Sequence, residues 1–296
     1  MIKLQQVSMT FDTNRILEKV DWMIPEGSVF GLVGPNGSGK STLLRIISGV
    51  IKPTGGRAFV DEQSVYNNPN IKKTISFVSD DWYYLPNSSL KDMKAFYQSF
   101  YPDFSETIYS SLLQVFPIKE HAKINTFSKG MKRQASLILS LSIDPKIVLL
   151  DEAFDGLDPV MRLNLKRHIA DLIIDKHLTV IVSSHNLREL EDICDNIALI
   201  DNKQIVLSDT IDSYRTQYHK FQLGFNETVD PSRFDFLKPL HIDGNGKIFT
   251  IILRGSSAEV NRGLAKLNPL IIDQLPLNLE ELFVYEMEGR GYGKSI

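Results

Sequence analysis

The sequence predicts an α/β fold with a mostly parallel sheet, followed by a small α+β domain. Over most of the chain, apolar runs typical of buried strands alternate with segments in which apolar residues recur at helical spacing. Two of the apolar runs, GSVFGLVGPNG and KIVLLDEA, end in a glycine loop or in acidic residues, as strands do at the edge of a sheet. The chain has 296 residues, of which 43% are hydrophobic, and this is enough to build about two domains with packed cores.

The predicted elements of the first domain follow one another along residues 1–216. IKLQQVSMTF and GSVFGLVGPNG are predicted strands, and KSTLLRIISGV is a predicted helix that ends at Gly49. Residues 83–142 show helical periodicity in three segments and are predicted to form a helical subdomain. KIVLLDEA and TVIVSSH are predicted strands, with the helices PVMRLNLKRHIADLII and NLRELEDIC between and after them. NIALIDNKQIVLSD then predicts a hairpin.

The pattern changes near residue 217, where a second, accessory domain is predicted. KIFTIILR and LIIDQL are predicted strands, and SAEVNRGLAKL and NLEELFVYEME are predicted helices. The two predicted domains are therefore residues 1–216 and 217–296, and the second is α+β.

The composition excludes several kinds of partner and site. The formal charge of −3 leaves no broad basic surface for a nucleic-acid backbone, so no nucleic-acid partner is predicted. Cys194 is the only cysteine, which excludes an internal disulfide and a cysteine-rich metal site and is typical of a reducing cytosol. The most apolar stretch, SLILSLSIDPKIVLL, is interrupted by Asp144, Pro145 and Lys146, so no transmembrane helix is expected.

A glycine-rich loop predicts a nucleotide site. GPNGSGKST fits the pattern G-x-x-x-x-G-K-[ST] and lies between a predicted strand and a predicted helix, which is the context that the motif requires. Glycines let successive backbone N–H groups turn towards an anion, and the helix start adds its positive end. Lys40 would reach the β and γ phosphates of ATP, and the Ser41 hydroxyl would hold Mg²⁺. The predicted nucleotide-binding residues are Gly34, Pro35, Asn36, Gly37, Ser38, Gly39, Lys40, Ser41 and Thr42. The alternative is a glycine turn that binds no ligand.

Polar residues at the ends of two later strands predict the partners of this loop. Asp151 and Glu152 follow an apolar run and should lie at the carboxyl edge of the sheet, where α/β proteins bind ligands. Asp151 suits a metal site together with Ser41, and Glu152 suits a general base that activates a water molecule. His185 follows TVIVSS, and its strand is expected beside that of Asp151, so His185 is predicted to face the γ-phosphate. The alternatives are a strand whose two acids simply meet solvent and a structural histidine.

The order of the motifs carries a resemblance to a known family. We call GPNGSGKST the phosphate loop. It is followed along the chain by FSKGM, LLDEA, DGLD and SSH. Residues 1 to about 215 resemble the nucleotide-binding subunits of ATP-binding-cassette (ABC) transporters, in which such motifs occur in this order and at this spacing. The resemblance implies a P-loop NTPase core of the ABC ATPase type, with a helical subdomain, that hydrolyses ATP with Mg²⁺. Generic P-loop ATPases share the loop and the acidic strand but lack the FSKGM segment.

The resemblance implies that FSKGM binds the γ-phosphate of ATP held by another subunit. The family usually has Leu-Ser-Gly-Gly-Gln here, and we call these positions the signature. The hydroxyl of Ser128 and the backbone of Gly130 are retained, whereas Lys129 replaces a glycine and adds a cation; Met131 completes the set. The alternative is a solvated basic helix start.

Three further positions are assigned by the same resemblance. Phe11 stands where an aromatic ring stacks on adenine, although phenylalanine fits a core position equally well. Asp80 stands where a glutamine commonly contacts Mg²⁺ and the membrane subunit. Asp158, in DGLD, matches a loop that communicates across the subunit pair.

The resemblance also implies a mechanism and its partners. Two ATPase subunits, identical or different, would close over two ATP molecules and open after hydrolysis, and this movement would drive a membrane-spanning subunit. The chain would then lie at the cytoplasmic face of the cell membrane as a peripheral protein. LNLEELFVYEMEGRGY, residues 277–292, is similar to the end of bacterial exporter-type subunits with a separate membrane chain, some tied to peptide export or antimicrobial resistance.

Two other functions stay open at this point. A soluble ABC ATPase of translation or DNA maintenance typically carries two cassettes, a long coiled coil or zinc cysteines, and this sequence shows none of them. A nucleotide-binding regulator with an inactive site is disfavoured because Lys40, Ser41, Asp151, Glu152 and His185 are all present, although Asp80 and Lys129 depart from the usual pattern.

Overall fold

The computed structural model describes residues 1–154, 157–191 and 193–289. It divides into two compact units, Met1–Ser208 and Asp209–Ile296. The first unit ends a few residues before the position predicted from the sequence, because the helix Ile211–Gln217 belongs to the second unit.

The described residues of the first unit form two sheets, and the last strand along the chain runs two residues past Ser208. Its strands are β1 (Ile2–Phe11), β2 (Asn14–Ile24), β3 (Val29–Val33), β4 (Gly55–Val60), β5 (Gln63–Ser64), β6 (Ile75–Val78), β7 (Ile147–Asp151), β8 (Thr179–Ser184), β9 (Asn196–Asp201) and β10 (Gln204–Thr210). One sheet has the order β2-β1-β4-β5 and is antiparallel, and the other has the order β10-β9-β3-β8-β7-β6. In the second sheet, β3 pairs in parallel with β8 and β9, and β7 pairs in parallel with β6 and β8.

The predicted parallel sheet is confirmed. β3, β7 and β8 are buried along their whole length, and strands covered on both faces have continuous apolar sequences of the kind that predicted them. β9 and β10 are neighbours joined by Asn202 and Lys203, both with positive φ, so the predicted hairpin is also confirmed. The antiparallel sheet was missed except for β1, because β2 mixes several charged residues with its apolar ones, β4 begins with two glycines and β5 has only two residues.

The helices of the first unit are α1 (Lys40–Ile47), α2 (Pro69–Lys72), α3 (Leu90–Phe100), α4 (Glu106–Val115), α5 (Lys129–Ser142), α6 (Pro159–Lys176) and α7 (Leu187–Glu191). The predicted helical subdomain contains α3, α4 and α5, which begin at the capping residues Ser89, Ser105 and Ser128. The second half of α5, residues 135–142, is buried, so this helix is held firmly while its first turn faces outward.

In its described residues, the second unit is a four-stranded antiparallel sheet with three α-helices and one 3-10 helix, Pro231–Leu237. Its elements are α8 (Ile211–Gln217), β11 (Tyr218–Gly224), β12 (His241–Asn245), β13 (Ile248–Arg254), α9 (Ser257–Ala265), β14 (Ile271–Leu275) and α10 (Leu279–Gly289). The strand order is β12-β13-β11-β14. Phe225, Phe234 and Phe249 pack together in its core. The α+β character, both predicted strands and both predicted helices are present, whereas β11 and β12 were not predicted.

Candidate functional site

The phosphate loop joins β3 to α1. Its backbone requires glycine at two positions: a Cβ atom on Gly34 would lie 2.4 Å from the carbonyl oxygen of Ile200, and Gly39 has a φ of 105° and would place a Cβ 2.9 Å from Leu17. Gly39 is the N-cap of α1 and supplies no side-chain hydrogen bond. The first N–H groups of α1 therefore have no side-chain cap, as an anion site at a helix start requires.

A cleft of about 420 Å³ opens over this loop. It is lined by Phe11, Ile16, Asn36, Gly37, Gly39, Lys40, Ser41, Thr42 and Glu152. Phe11 is 45% exposed, so its ring borders the cleft rather than the core. The hydroxyl of Ser38 is buried and has no hydrogen-bond partner within the described part of the chain, and this orphaned group fits a phosphate oxygen.

The Lys40 ammonium is held against the loop itself. It is buried and donates to the carbonyl oxygens of Gly34 at 2.8 Å and Pro35 at 3.1 Å. Burial lowers the pKa of Lys40, while the carboxylates of Glu152 and Asp151 act in the opposite direction. A cation that is buried at such a cost beside an open cleft is suited to bind an anion there.

Asp151 is placed by the pairing of two parallel strands. It ends β7 and lies opposite Ser183 of β8. The Oδ1 atom of Asp151 accepts hydrogen bonds from the Ser183 hydroxyl at 2.7 Å and from the Ser41 hydroxyl at 3.1 Å. The structure thus brings Ser41 and Asp151 together as predicted. Ser183 was missed, although it lies two residues before His185 in the same strand end.

Glu152 and His185 face each other at the same edge. The Oε2 atom of Glu152 lies 2.9 Å from Nδ1 of His185. An ionised carboxylate is only an acceptor, so it would accept this hydrogen bond from the histidine tautomer that carries its proton on Nδ1. Glu152 is mostly buried and His185 is half exposed. His185 therefore contacts Glu152 directly, a neighbour that the sequence did not predict for it.

Asp80 lies away from the cleft lining and contacts an arginine. The buried guanidinium of Arg133 in α5 donates to the carboxylate of Asp80 and to the carbonyl oxygen of Glu152. Arg133 was missed because its partners are distant in the sequence. The role of Asp80 as a metal ligand stays a prediction.

The signature residues form the first turn of α5 and not the cleft. Ser128 caps the helix, and its hydroxyl accepts a hydrogen bond from the backbone of Met131 at 3.2 Å. Ser128 and Lys129 are exposed, and Gly130 and Met131 are partly exposed. Of the residues that the structure describes, none of these four lines the cleft.

Asp158 caps α6. Its carboxylate accepts hydrogen bonds from the backbone N–H groups of Val160 and Met161, both at 2.9 Å. Asp155 and Gly156, the first residues of DGLD, lie outside the described residues.

In residues 1–154, 157–191 and 193–289, no helix has the length and apolarity needed to cross a bilayer. The same ranges contain no group of three or more histidine, cysteine, aspartate or glutamate residues that could hold a metal ion. Mg²⁺ is commonly held by one or two protein groups together with substrate phosphates, so the pair Ser41 and Asp151 fits this ion.

The site defines a class of protein. A glycine loop that opens a helix, beside two carboxylates at the carboxyl edge of a parallel sheet, is the arrangement of a P-loop NTPase. A family model described as "ABC transporter" matches residues 17–155. The ABC transporter ATP-binding protein YtrB of Bacillus subtilis is 30% identical over 290 residues, which cover 98% of this chain and 99% of that protein. The chain therefore belongs to the ABC transporter family, as an ATP-binding subunit with ATPase activity.

Other relatives and solved structures agree with this assignment. The lantibiotic transport ATP-binding protein SrtF of Streptococcus pyogenes is 31% identical over 214 residues, which cover 72% of this chain and 92% of that protein. The structure of an ATP-binding subunit of an ABC transporter matches with a TM-score of 0.67 and 22% identity, over 73% of this chain and 92% of that chain. A dimeric post-hydrolysis ATP-binding cassette bound to ADP and phosphate matches with a TM-score of 0.65 and 22% identity, over 71% and 99%. These structures share the fold of this chain.

Proposed function

We propose that this chain pairs with a second ATPase subunit, closes around two ATP molecules and powers export by a separate membrane-spanning subunit. One observation carries the pairing: the cleft with the phosphate loop and the exposed first turn of α5 are two separate surfaces of one chain. Both surfaces suit the binding of phosphate, because each contains the N-terminus of a helix. A second subunit would present its own α5 to the cleft of this one.

The residues of the cleft have distinct tasks in this proposal. The loop N–H groups, the Ser38 hydroxyl and Lys40 bind the phosphates of ATP. Ser41 and Asp151 would hold Mg²⁺, which when bound would neutralise charge on the phosphates. Glu152 orients the attacking water and accepts its proton, and His185 holds the carboxylate of Glu152 through Nδ1. Ser183 fixes Asp151 in turn.

The names of relatives bear on the direction of transport and on the class of cargo. The relative SrtF is named a lantibiotic transport protein, whereas proteins named for sulfate and methionine import are 29% and 26% identical to this chain. We propose a peripheral position at the cytoplasmic face of the membrane and export of a peptide-like cargo. Co-purification with a membrane-spanning chain, followed by ATP-driven transport in reconstituted vesicles, tests the proposal. Co-purification with ribosomes or DNA instead would contradict it.

Replacing Phe11 by alanine is expected to weaken ATP binding by about 5- to 150-fold, because stacking of a base on a ring contributes about 1–3 kcal/mol. Phe11→Tyr keeps the ring and should bind ATP like the wild type. Titration calorimetry with ATP and with inorganic tripolyphosphate separates the base from the phosphates: tripolyphosphate should bind all three proteins equally. An equal loss for both ligands would show that Phe11 supports the loop instead of the base.

Replacing Gly130 by aspartate is expected to prevent ATP-dependent pairing, because a carboxylate in the first turn of α5 repels a partner's γ-phosphate. The change is best made together with Glu152→Gln, which should slow hydrolysis and keep a closed pair intact. Light scattering reports the pair, and calorimetry reports ATP binding, which should change less than twofold. Ser110→Asp, on the exposed side of α4, is the matched control. Pairing that survives Gly130→Asp would contradict the proposed contact.

A further inference from the structure

Arg133 joins three parts of the first unit through one buried side chain. It lies in α5, five positions after Ser128, and its side chain is 1% exposed. Its guanidinium donates to the carbonyl oxygen of Glu152 and to the carboxylate of Asp80. Its Cζ atom also lies 5.1 Å from the centre of the Trp82 ring. A planar group with donors on several sides can make all these contacts at once.

Glu152 has a backbone conformation that needs support. Its φ is 48°, in the left-handed region that residues other than glycine rarely adopt. Such a conformation persists where the surrounding structure holds it. The N–H group of Glu152 donates to the Ser183 hydroxyl at 3.1 Å, and its carbonyl oxygen accepts from Arg133. Side chains from β8 and from α5 therefore hold the two sides of this residue.

Asp80 supplies the negative charge that a buried guanidinium requires. Arginine does not lose its proton in proteins, so a buried arginine needs an acceptor or a counter-ion. Asp80 is 52% exposed and contacts Arg133 from the loop that follows β6. Its neighbour Asp81 is 95% exposed and approaches Arg45 only to 4.0 Å. Two adjacent aspartates thus differ in whether they neutralise a buried cation.

We propose that Arg133 is a positioning residue that fixes the backbone of Glu152 and connects it to the signature turn of α5, with Asp80 as its counter-ion. Because Arg133 lies directly after the first turn of α5 in the same helix, a shift of that turn moves Arg133 and with it the carbonyl of Glu152. Binding of a partner's ATP phosphate at Ser128 is then coupled to the orientation of Glu152 in the chain's own cleft. This inference rests on the proposed function, since it takes Glu152 as the base and α5 as the contact with a partner.

The test separates the rate of hydrolysis from the binding of ATP. Arg133→Met keeps an unbranched side chain that can pack in the buried position but removes the guanidinium donors. We expect the kcat of phosphate release to fall about 10- to 100-fold, since misplacing a reacting group by about 1 Å costs on this order. The Kd for ATP should change less than twofold, because Arg133 does not line the cleft. Pairing in the Glu152→Gln background should persist. Arg133→Lys keeps the charge but offers one donor group and should give an intermediate kcat.

Asp80→Asn distinguishes the counter-ion from a metal ligand, with Asp81→Asn as the control. As a counter-ion, Asp80 stabilises the protein without nucleotide or Mg²⁺, so Asp80→Asn should lower the thermal midpoint of the free protein, and Asp81→Asn should not. The Mg²⁺ concentration for half-maximal rate should stay unchanged in both variants. As a metal ligand, Asp80 would instead leave the midpoint of the free protein unchanged, and extra Mg²⁺ would restore the rate.

Different results would contradict the proposed function and the inference about Arg133. A wild type that hydrolyses no ATP, alone or with a membrane partner, would contradict the proposed function. A wild type that turns over, together with an Arg133→Met variant of unchanged kcat, would overturn the inference alone. If Arg133→Met does not fold, Arg133→Lys and Asp80→Asn decide: wild-type kcat in both variants, measured 10 °C or more below their midpoints, would equally overturn it.

Discussion

The Glu152→Gln variant is expected to bind ATP with wild-type affinity, to release phosphate about 10²- to 10⁴-fold more slowly, and to accumulate as an ATP-dependent pair of subunits. A neutral amide cannot accept the proton of the attacking water. The change preserves the size of the side chain and its hydrogen-bonding capacity towards His185 at 2.9 Å. Removing a carboxylate beside the phosphates also lowers charge repulsion in the closed pair, because like charges in a shared site oppose each other.

Light scattering with and without MgATP, together with phosphate release, measures both effects. Glu26→Gln, at an exposed position after β2, is the matched control and should behave like the wild type. A Glu152→Gln variant with the turnover of the wild type would exclude Glu152 as the base. A variant that stops turnover but stays a monomer would indicate that the second subunit is a different chain.

The Lys40→Ala variant is expected to lose ATP affinity by about 10²-fold or more. Hydrogen bonds to charged groups contribute about 1.5–3 kcal/mol each, and the Lys40 ammonium is placed to reach two phosphates. In the free protein this ammonium donates to the carbonyl oxygens of Gly34 and Pro35, and burial lowers its pKa. Bound phosphate would supply the negative charge that the buried ammonium lacks in these two contacts.

Calorimetry with ATP, and with tripolyphosphate as the probe of the phosphate contacts, measures the loss. Both ligands should lose affinity by a similar factor, in contrast to the Phe11→Ala variant. Lys119→Ala, in an exposed loop, should bind both like the wild type. Circular dichroism checks that the Lys40→Ala protein is folded. Unchanged ATP affinity in a folded Lys40→Ala protein would exclude the phosphate loop as the nucleotide site.

The pairing expected of the Glu152→Gln variant depends on the separation of the cleft from the signature turn within one subunit. Each subunit carries one complete phosphate loop and one outward-facing α5 start, so neither surface needs a change in the fold to meet its counterpart. A closed pair would place two nucleotides between four such surfaces. The γ-phosphate is then the group that distinguishes the closed state from the open one, because it is the part of ATP that α5 of the partner would contact.

Most of the phosphate site could be predicted because its residues are close in the sequence. Glycines of the loop, Lys40 and Ser41 lie within one short segment between a strand and a helix, and local geometry brings them to one cleft. Asp151 and His185 could be predicted because parallel strands end at a common edge. The strands β3, β7 and β8 were recognised because burial on both faces makes them apolar throughout.

The antiparallel sheet and the two missed strands of the second unit show the limit of this reasoning. β2 carries several charged residues among its apolar ones, so its strand pattern is weak without a partner strand. β12 has five residues, of which Gly244 and Asn245 are types that are rare in strands. It is a strand only because it pairs with β13. In both cases the pairing partner, rather than the segment, decides the conformation.

The sequence by itself determined the class of the fold, the phosphate loop, the acidic strand end and the family, because each depends on residues that are adjacent or on a strand edge that the chain order implies. The tertiary structure alone decided the partners of the charged groups: Arg133 with Asp80 and Glu152, and Ser183 with Asp151. These contacts join segments that are 19 to 53 positions apart. The sequence around a charged residue does not indicate which distant residue it contacts, because burial and pairing arise only when the elements pack together.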